Sequence, residues 1–131
     1  MKQFFKCIMY LPVLLVISQP VFAETLRCKI RDDSTTGDAG IAEEAVVEIT
    51  GSKATYTDKY TLHFFGKGVD ATNHKNQSRI EFKYSADLPL QGGQTSRMQW
   101  SITYIKSTKI LAINTVLSGY DNDNKGMGKC R

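Results

Sequence analysis

From residue 25 onward, hydrophobic and polar side chains alternate with a period of two. That period marks strands with one face buried and one face in water. In Thr25–Arg31, Leu26, Cys28 and Ile30 fall on one side and Thr25, Arg27, Lys29 and Arg31 on the other. Glu44–Thr50 carries Val46, Val47 and Ile49, and Gly51-Ser52 suits a two-residue hairpin turn with glycine first. Ala54–Tyr60 reads as the returning strand, with Ala54, Tyr56 and Asp58 on one face. Leu62 and Phe64 are expected to face inward on a further strand, with Thr61, His63 and Phe65 outward. Arg79–Ala86 is the clearest alternation, setting Ile80, Phe82 and Tyr84 against Arg79, Glu81, Lys83 and Ser85. Arg97–Lys106 places Met98, Trp100, Ile102 and Tyr104 together. Lys109–Ser118 is apolar on both faces, as a central strand would be. A short strand over Gly126–Arg131 carries Cys130.

Between these runs lie segments rich in Asp, Asn, Gly, Thr and Ser, the residues of turns and loops. They are Asp32–Gly40, Gly66–Ser78, Asp87–Ser96 and Gly119–Lys125. Ile41–Ala45 has the Ala and Glu content of a helical turn, and either a turn of helix or the start of a strand fits it. Seven or eight closely spaced strands without a long helical pattern predict an all-β domain, an antiparallel barrel or sandwich.

The first 23 residues follow different rules. Lys2 and Lys6 precede an apolar run from Ile8 to Ile17, then Ser18-Gln19-Pro20, then Val21-Phe22-Ala23. A basic start, a short apolar core and small residues before a cut make a secretory signal peptide. The run is shorter than the roughly 20 residues that span a bilayer. Cleavage after Ala23 is expected to leave one domain, 24–131. Removing the two signal lysines reduces 17 basic side chains to 15 against 13 acidic ones. The mature domain is therefore only mildly basic.

Export changes the meaning of the cysteines. Cys7 leaves with the signal, and Cys28 and Cys130 remain near the two ends of the domain. An oxidising compartment favours a bridge between them. Joining the first strand to the last fits a sheet whose edges meet, which favours the barrel over the sandwich.

Reactive chemistry is thin. Asp121-Asn122-Asp123-Asn124-Lys125-Gly126 begins like a calcium loop, but Lys125 occupies a ligand position and the chain ends before a closing Glu. His63, Asp70 and His74 lack metal-site spacing. There is no Gly-x-Ser-x-Gly elbow, and a bridged cysteine pair leaves no free nucleophile. Gly66-Lys67-Gly68 lacks the spacing of a phosphate cradle. No cofactor or metal is expected. Residues 24–58 carry four basic and eight acidic groups, whereas 59–120 carry eight basic and three acidic. Such polarity steers partners, but the dispersed lysines and the export signal speak against nucleic acid. Asn76-Gln77-Ser78 is a glycosylation sequon, relevant only where exported proteins are glycosylated.

In size, compartment and single bridge the chain resembles the small exported barrels of bacteria, lysozyme inhibitors among them. Those inhibitors use a Ser-Gly-x-x-Tyr loop. Ser118-Gly119-Tyr120 has the residue types at a different spacing, so no inhibitory residue carries across. The expectation is a non-enzymatic periplasmic or secreted binding protein, with a protein or small ligand as partner. The loops 66–78 and 87–96 would hold that partner, with Lys67, Asp70, His74, Lys75 and Gln94 as candidate contacts. The rival expectation is a small hydrolase whose site is assembled only in three dimensions.

Overall fold

The computed structural model describes residues 23–34, 40–74, 78–119 and 123–131, together with Val16. The expected signal peptide apart from Val16 and Ala23, Lys75, Asn76-Gln77 of the sequon and Asp121-Asn122 of the calcium-like loop lie outside the described residues.

Eight strands and one helix follow in the order β1 (Ala23–Asp32), β2 (Glu44–Thr50), β3 (Lys53–Asp58), α1 (Lys59–Phe65), β4 (Val69–Asp70), β5 (Arg79–Pro89), β6 (Thr95–Ile105), β7 (Ile110–Leu117) and β8 (Asp123–Cys130). Every pairing is antiparallel, and the sheet order is β4-β3-β2-β1-β8-β7-β6-β5. Each strand therefore lies beside its neighbours in sequence, and β8 returns to β1. The two edges, β4 and β5, approach through Thr72 and Asn73, whose backbone N–H groups donate to the Glu81 carbonyl at 2.8 and 3.3 Å. The result is a nearly closed up-and-down barrel, in which closure satisfies the strand edges that an open sheet leaves bare.

The inward faces are those the alternation picks out. Ile80, Phe82, Trp100 and Ile102 are each 0–1% exposed, and Leu26, Val47, Tyr56, Tyr104 and Leu111 join them. Tyr84 lies directly opposite Trp100 across β5 and β6, and the two rings stack at 4.7 Å. The barrel is thus filled by its own side chains.

Cys28 and Cys130 form the disulfide and are paired in register between β1 and β8. Arg27 and Arg131, one step along, exchange both backbone hydrogen bonds. The cysteines hence occupy the narrower, non-hydrogen-bonded kind of pair, where side chains approach most closely. The bridge ties neighbouring strands in the middle of the sheet order, and the seam of the barrel lies elsewhere, between β4 and β5.

Several sequence expectations need correction. The strand expected over Thr61–Phe65 is helix α1. Leu62, expected inside, is 52% exposed, and Thr61, expected outside, is fully buried. The cause is Asp58, whose side chain accepts from the Tyr60 and Thr61 N–H groups, while Thr61 Oγ1 accepts from the Asp58 N–H, making a capping box. Gly66 ends the helix at φ 70°, donating to the Leu62 carbonyl. Lys109–Ser118 is no strand buried on both sides: Val116 is exposed and Ile110, Ala112 and Asn114 are half-buried, because the outside of a barrel faces water. The loop expected over 87–96 shrinks to 90–94, since Asp87, Leu88 and Pro89 pair with Arg97, Ser96 and Thr95. The loop over 66–78 contains β4, and β8 begins at Asp123 rather than Gly126. Ile41–Ala45 forms no helical turn; Ile41 and Ala42 are irregular and buried, and strand begins at Glu44.

The described end of the β1–β2 connection, Gly40–Ala42, thus enters the core. Gly40 makes this possible. It has φ 72°, its carbonyl accepts from Trp100 Nε1 at 2.8 Å, and a Cβ there would meet Met98 Sδ.

Candidate functional site: the helix end of the barrel

Strand directions define two ends. One gathers residues 33–34 and 40–43, helix α1, the hairpin 90–94 and Ser118-Gly119 after β7. The other gathers Gly51-Ser52, residues 71–74 and 106–109. Helix α1 occupies the first end because its aromatic residues drop onto the core. Tyr60 and Phe64 lie 5.8 and 5.9 Å from the Trp100 ring, and Phe65 meets Tyr84 edge-on at 5.9 Å.

Asp58 anchors this end from within. It is 5% exposed. Its Oδ1 accepts from the Tyr60 and Thr61 N–H groups, each at 2.8 Å, and its Oδ2 accepts from the Tyr56 hydroxyl at 2.7 Å and the Tyr84 hydroxyl at 3.4 Å. One carboxylate therefore joins β3, α1 and β5, and it lies at the positive end of the helix. A buried carboxylate needs this many partners to offset its lost hydration. Burial first, and then the nearby Asp58 charge, raise the Tyr56 and Tyr84 hydroxyls well above the ordinary tyrosine range. Both phenols are held as neutral donors, so the cluster is built to hold the fold together.

The exposed surface above it has a different character. Leu62 is 52% and Phe65 42% exposed. Leu62 overhangs a cleft of about 630 Å³ between the helix and the outer wall of β1, β2 and β3. Ala42, Ala45 and Val46 contribute to its floor, and Arg27, Lys29, Glu43, Glu44 and Lys59 bring both charge signs to its rim. Apolar side chains ringed by both charge signs have the chemistry of a protein-binding rim.

The structure distributes the sequence candidates over both ends. Lys67 follows the helix and is exposed, and Gln94 lies exposed in the hairpin at the same end, where its carbonyl accepts from the Leu90 N–H. Asp70 sits on β4 opposite Thr55. His74 lies at the opposite end. Its Nδ1 is 2.8 Å from the Ser52 carbonyl and its Nε2 3.3 Å from Lys106 Nζ. The described part of this loop, 66–74, thus runs from one end to the other, and among the described candidates Lys67 and Gln94 share the helix end. Sequence reasoning placed Phe65 outward, as observed, but missed Leu62 as a surface residue and Asp58 as an anchor. The signal that could have found them was Asp58-x-x-Thr61, a helix start that the β alternation overrode.

Among the described residues no group of three or more His, Cys, Asp or Glu side chains could hold a metal ion, and no helix is long and apolar enough to cross a membrane.

Fold and surface together define a class: a disulfide-tied, eight-stranded up-and-down barrel with a packed interior and an amphipathic, helix-capped end. Comparison with protein-family models, curated proteins and solved structures returns no match.

Proposed function

We propose that this chain is an exported, non-enzymatic binding protein that holds a protein partner at the helix end of its barrel. The observation that carries the reading is the contrast between inside and outside. Trp100, Tyr56, Phe82 and Leu111 fill the centre, while Leu62 stands in water over a cleft rimmed by both charge signs and Phe65 stands in water at the end of the same helix. A filled barrel recognises with its exterior, and exposed apolar side chains within a polar rim are what a protein interface buries. The leader Met1–Ala23 and the Cys28–Cys130 bridge support export.

The test has two arms. Material recovered from outside the cytoplasm should begin at Glu24; an amino terminus still containing Phe4 or Leu14 argues against cleavage. Cross-linking in the exporting cells should capture one partner with the parent protein and lose it with Leu62→Asp and Phe65→Asp. Thr72→Ala, at the opposite end, should keep it. Equal capture by all four proteins would remove the helix end from the proposal.

A further inference from the structure

We propose that the outer wall formed by β1 and β8 docks on an anionic phospholipid bilayer. The inference goes beyond the partner-binding reading, since its surface is centred on β8 and takes only Arg27 and Lys29 from the rim of the helix-end cleft, and it holds whether or not that reading does.

Register assembles the surface. On β1, Arg27 and Lys29 point outward, and on β8, Lys129 and then Arg131 just beyond it do the same; all four are exposed. Lys29 lies directly opposite Lys129, and Arg27 exchanges backbone hydrogen bonds with Arg131. Four cations therefore sit above the buried Cys28–Cys130 bridge, about 5.5 Å apart across the strands and roughly 7 Å along them. Like charges placed directly opposite oppose sheet formation. The β2 side shows the ordinary solution, with Glu44 opposite Lys29. On the β8 side no acid stands between the two pairs. The single ion pair among the described residues, Arg31–Asp33, lies farther along the wall. The bridge fixes the β1–β8 register, so the backbone cannot slip to separate the charges. A surface held in this state calls for an anionic counterpart.

What lies beside the cations selects the counterpart. Met127 is 48% and Val116 38% exposed, and Ile110 and Ala112 are half-buried on the adjoining β7. Ala112 pairs with Met127, and Ile110 with Lys129. A shallow cleft is lined by Lys29, Arg31, Ile110, Met127 and Lys129. Ile110, Ala112 and Met127 thus form a small apolar patch at the edge of the cationic one, with Val116 farther along beyond Asn114. Nucleic acids and acidic polysaccharides offer little to bind such a patch. A rigid acidic protein would have to match a convex wall over several hundred square ångströms. A bilayer offers phosphates and an apolar phase side by side, and its lipids move to fit the charges.

The experiment is co-sedimentation of the intact, bridged protein with vesicles of phosphatidylcholine alone or mixed with phosphatidylglycerol. Each variant carries the same amino-terminal segment, so differences belong to the wall. The protein should bind the anionic vesicles, and binding should fall steeply as salt rises, because exposed charges are screened within about 10 Å at roughly 0.1 M salt. Lys129→Glu with Arg131→Glu should weaken binding at least about twentyfold, given that each basic residue near an anionic surface contributes about 1 kcal/mol, roughly fivefold. Met127→Asp should weaken it with the fold intact by circular dichroism, and Leu62→Asp should leave it unchanged. Failure to bind anionic vesicles, equal binding to neutral ones, or indifference to the double reversal would overturn the proposal. Equally strong binding to polyglutamate, insensitive to Met127→Asp, would assign the wall to an acidic protein instead.

Discussion

At the scale of single residues, the densest interaction in the molecule converges on Asp58. Two backbone N–H groups and two tyrosine hydroxyls meet one carboxylate that is nearly out of water. A pH dependence follows. Tyr56 and Tyr84 keep their protons in the folded protein at pH values where an unfolded tyrosine, near its ordinary value of 10, has lost its own. Above that pH the folded state binds more protons than the unfolded one, so stability falls as pH rises. Below about pH 10 both states are protonated and the contribution is fully present. Denaturant titrations should show stability falling by about 1.4 kcal/mol per pH unit for each of the two phenols above pH ~10. Tyr56→Phe should remove one such contribution to the slope, and so should Tyr84→Phe. A parent protein with the same stability at neutral pH and well above pH 10 would contradict the buried, protonated cluster.

At the scale of elements, helix α1 shows how a local signal redirects a strand pattern. Thr57 through Phe65 alternates well enough to continue β3. The Asp58 cap instead starts a helix, and seven residues of helix cover the barrel end with Tyr60 and Phe64. So short a helix has little stability of its own and depends on its cap and its packing. Asp58→Ala deletes the cap, typically worth about 1 kcal/mol, and leaves the Tyr56 hydroxyl buried without its acceptor, at about 1–3 kcal/mol. A loss of about 2–4 kcal/mol is expected in urea unfolding, with Asp58→Asn, which retains an acceptor oxygen for the cap, milder. A loss below about 0.5 kcal/mol, the range of a surface change, would show that the cap does not hold the helix. Strand β8 gives the complementary case. Gly126 and Gly128 occupy inward positions where a Cβ would run into Ile41 and the Lys29 carbonyl. Their lack of side chains lets β1 and the β1–β2 connection pack against β8.

At the scale of the whole molecule, the bridge joins residues 102 apart, yet they are immediate neighbours in the sheet. The cross-link acts mainly on the unfolded chain, where closing a loop of about 100 residues removes a large share of its freedom. Replacing both cysteines with alanine should therefore cost about 2–5 kcal/mol in equilibrium unfolding. Cys28 and Cys130 are 1% and 4% exposed, so reductant should reach the sulfurs slowly in the folded state. Two thiols labelled on the native, unreduced protein would refute the bridge. The barrel opens elsewhere. Strand β4 has two residues, and its contact with β5 runs through Thr72 and Asn73 to Glu81. Loss of the bridge should thus leave β5, β6 and β7, the most extensive ladder, paired in whatever remains folded.

The sequence by itself determined which faces are buried and which cysteines could pair. Facing is a property of nearest neighbours along the chain: a strand turns each side chain to the face opposite the one before it, so Ile80, Phe82, Trp100 and Ile102 could be placed inside from their spacing alone, whereas the cysteine pair follows from only two cysteines remaining once Cys7 is assigned to the expected leader. The hairpin turn at Gly51-Ser52 was legible, like the facing, from neighbours along the chain. The positions where separate strands and loops meet were not. Asp58 read as one more inward residue of a strand: Tyr56, Tyr60 and Thr61 lie within three residues of it, but the alternation overrode the capping signal, and its fourth partner, Tyr84 on β5, is brought to it only by the fold. Gly40 read as loop and Ile41 as a turn of helix or the start of a strand, because their partners, Trp100 and Gly126, are far along the sequence. The candidate surface followed suit. Lys67 and Gln94 were named from loop composition, but the exposure of Leu62 and Phe65 depends on a helix that packing selects, and the cations of β1 and β8 become one surface only when register sets Lys29 beside Lys129. Alternation is decided within a strand; charge clusters and site geometry are decided between strands, where only the folded barrel fixes the distances.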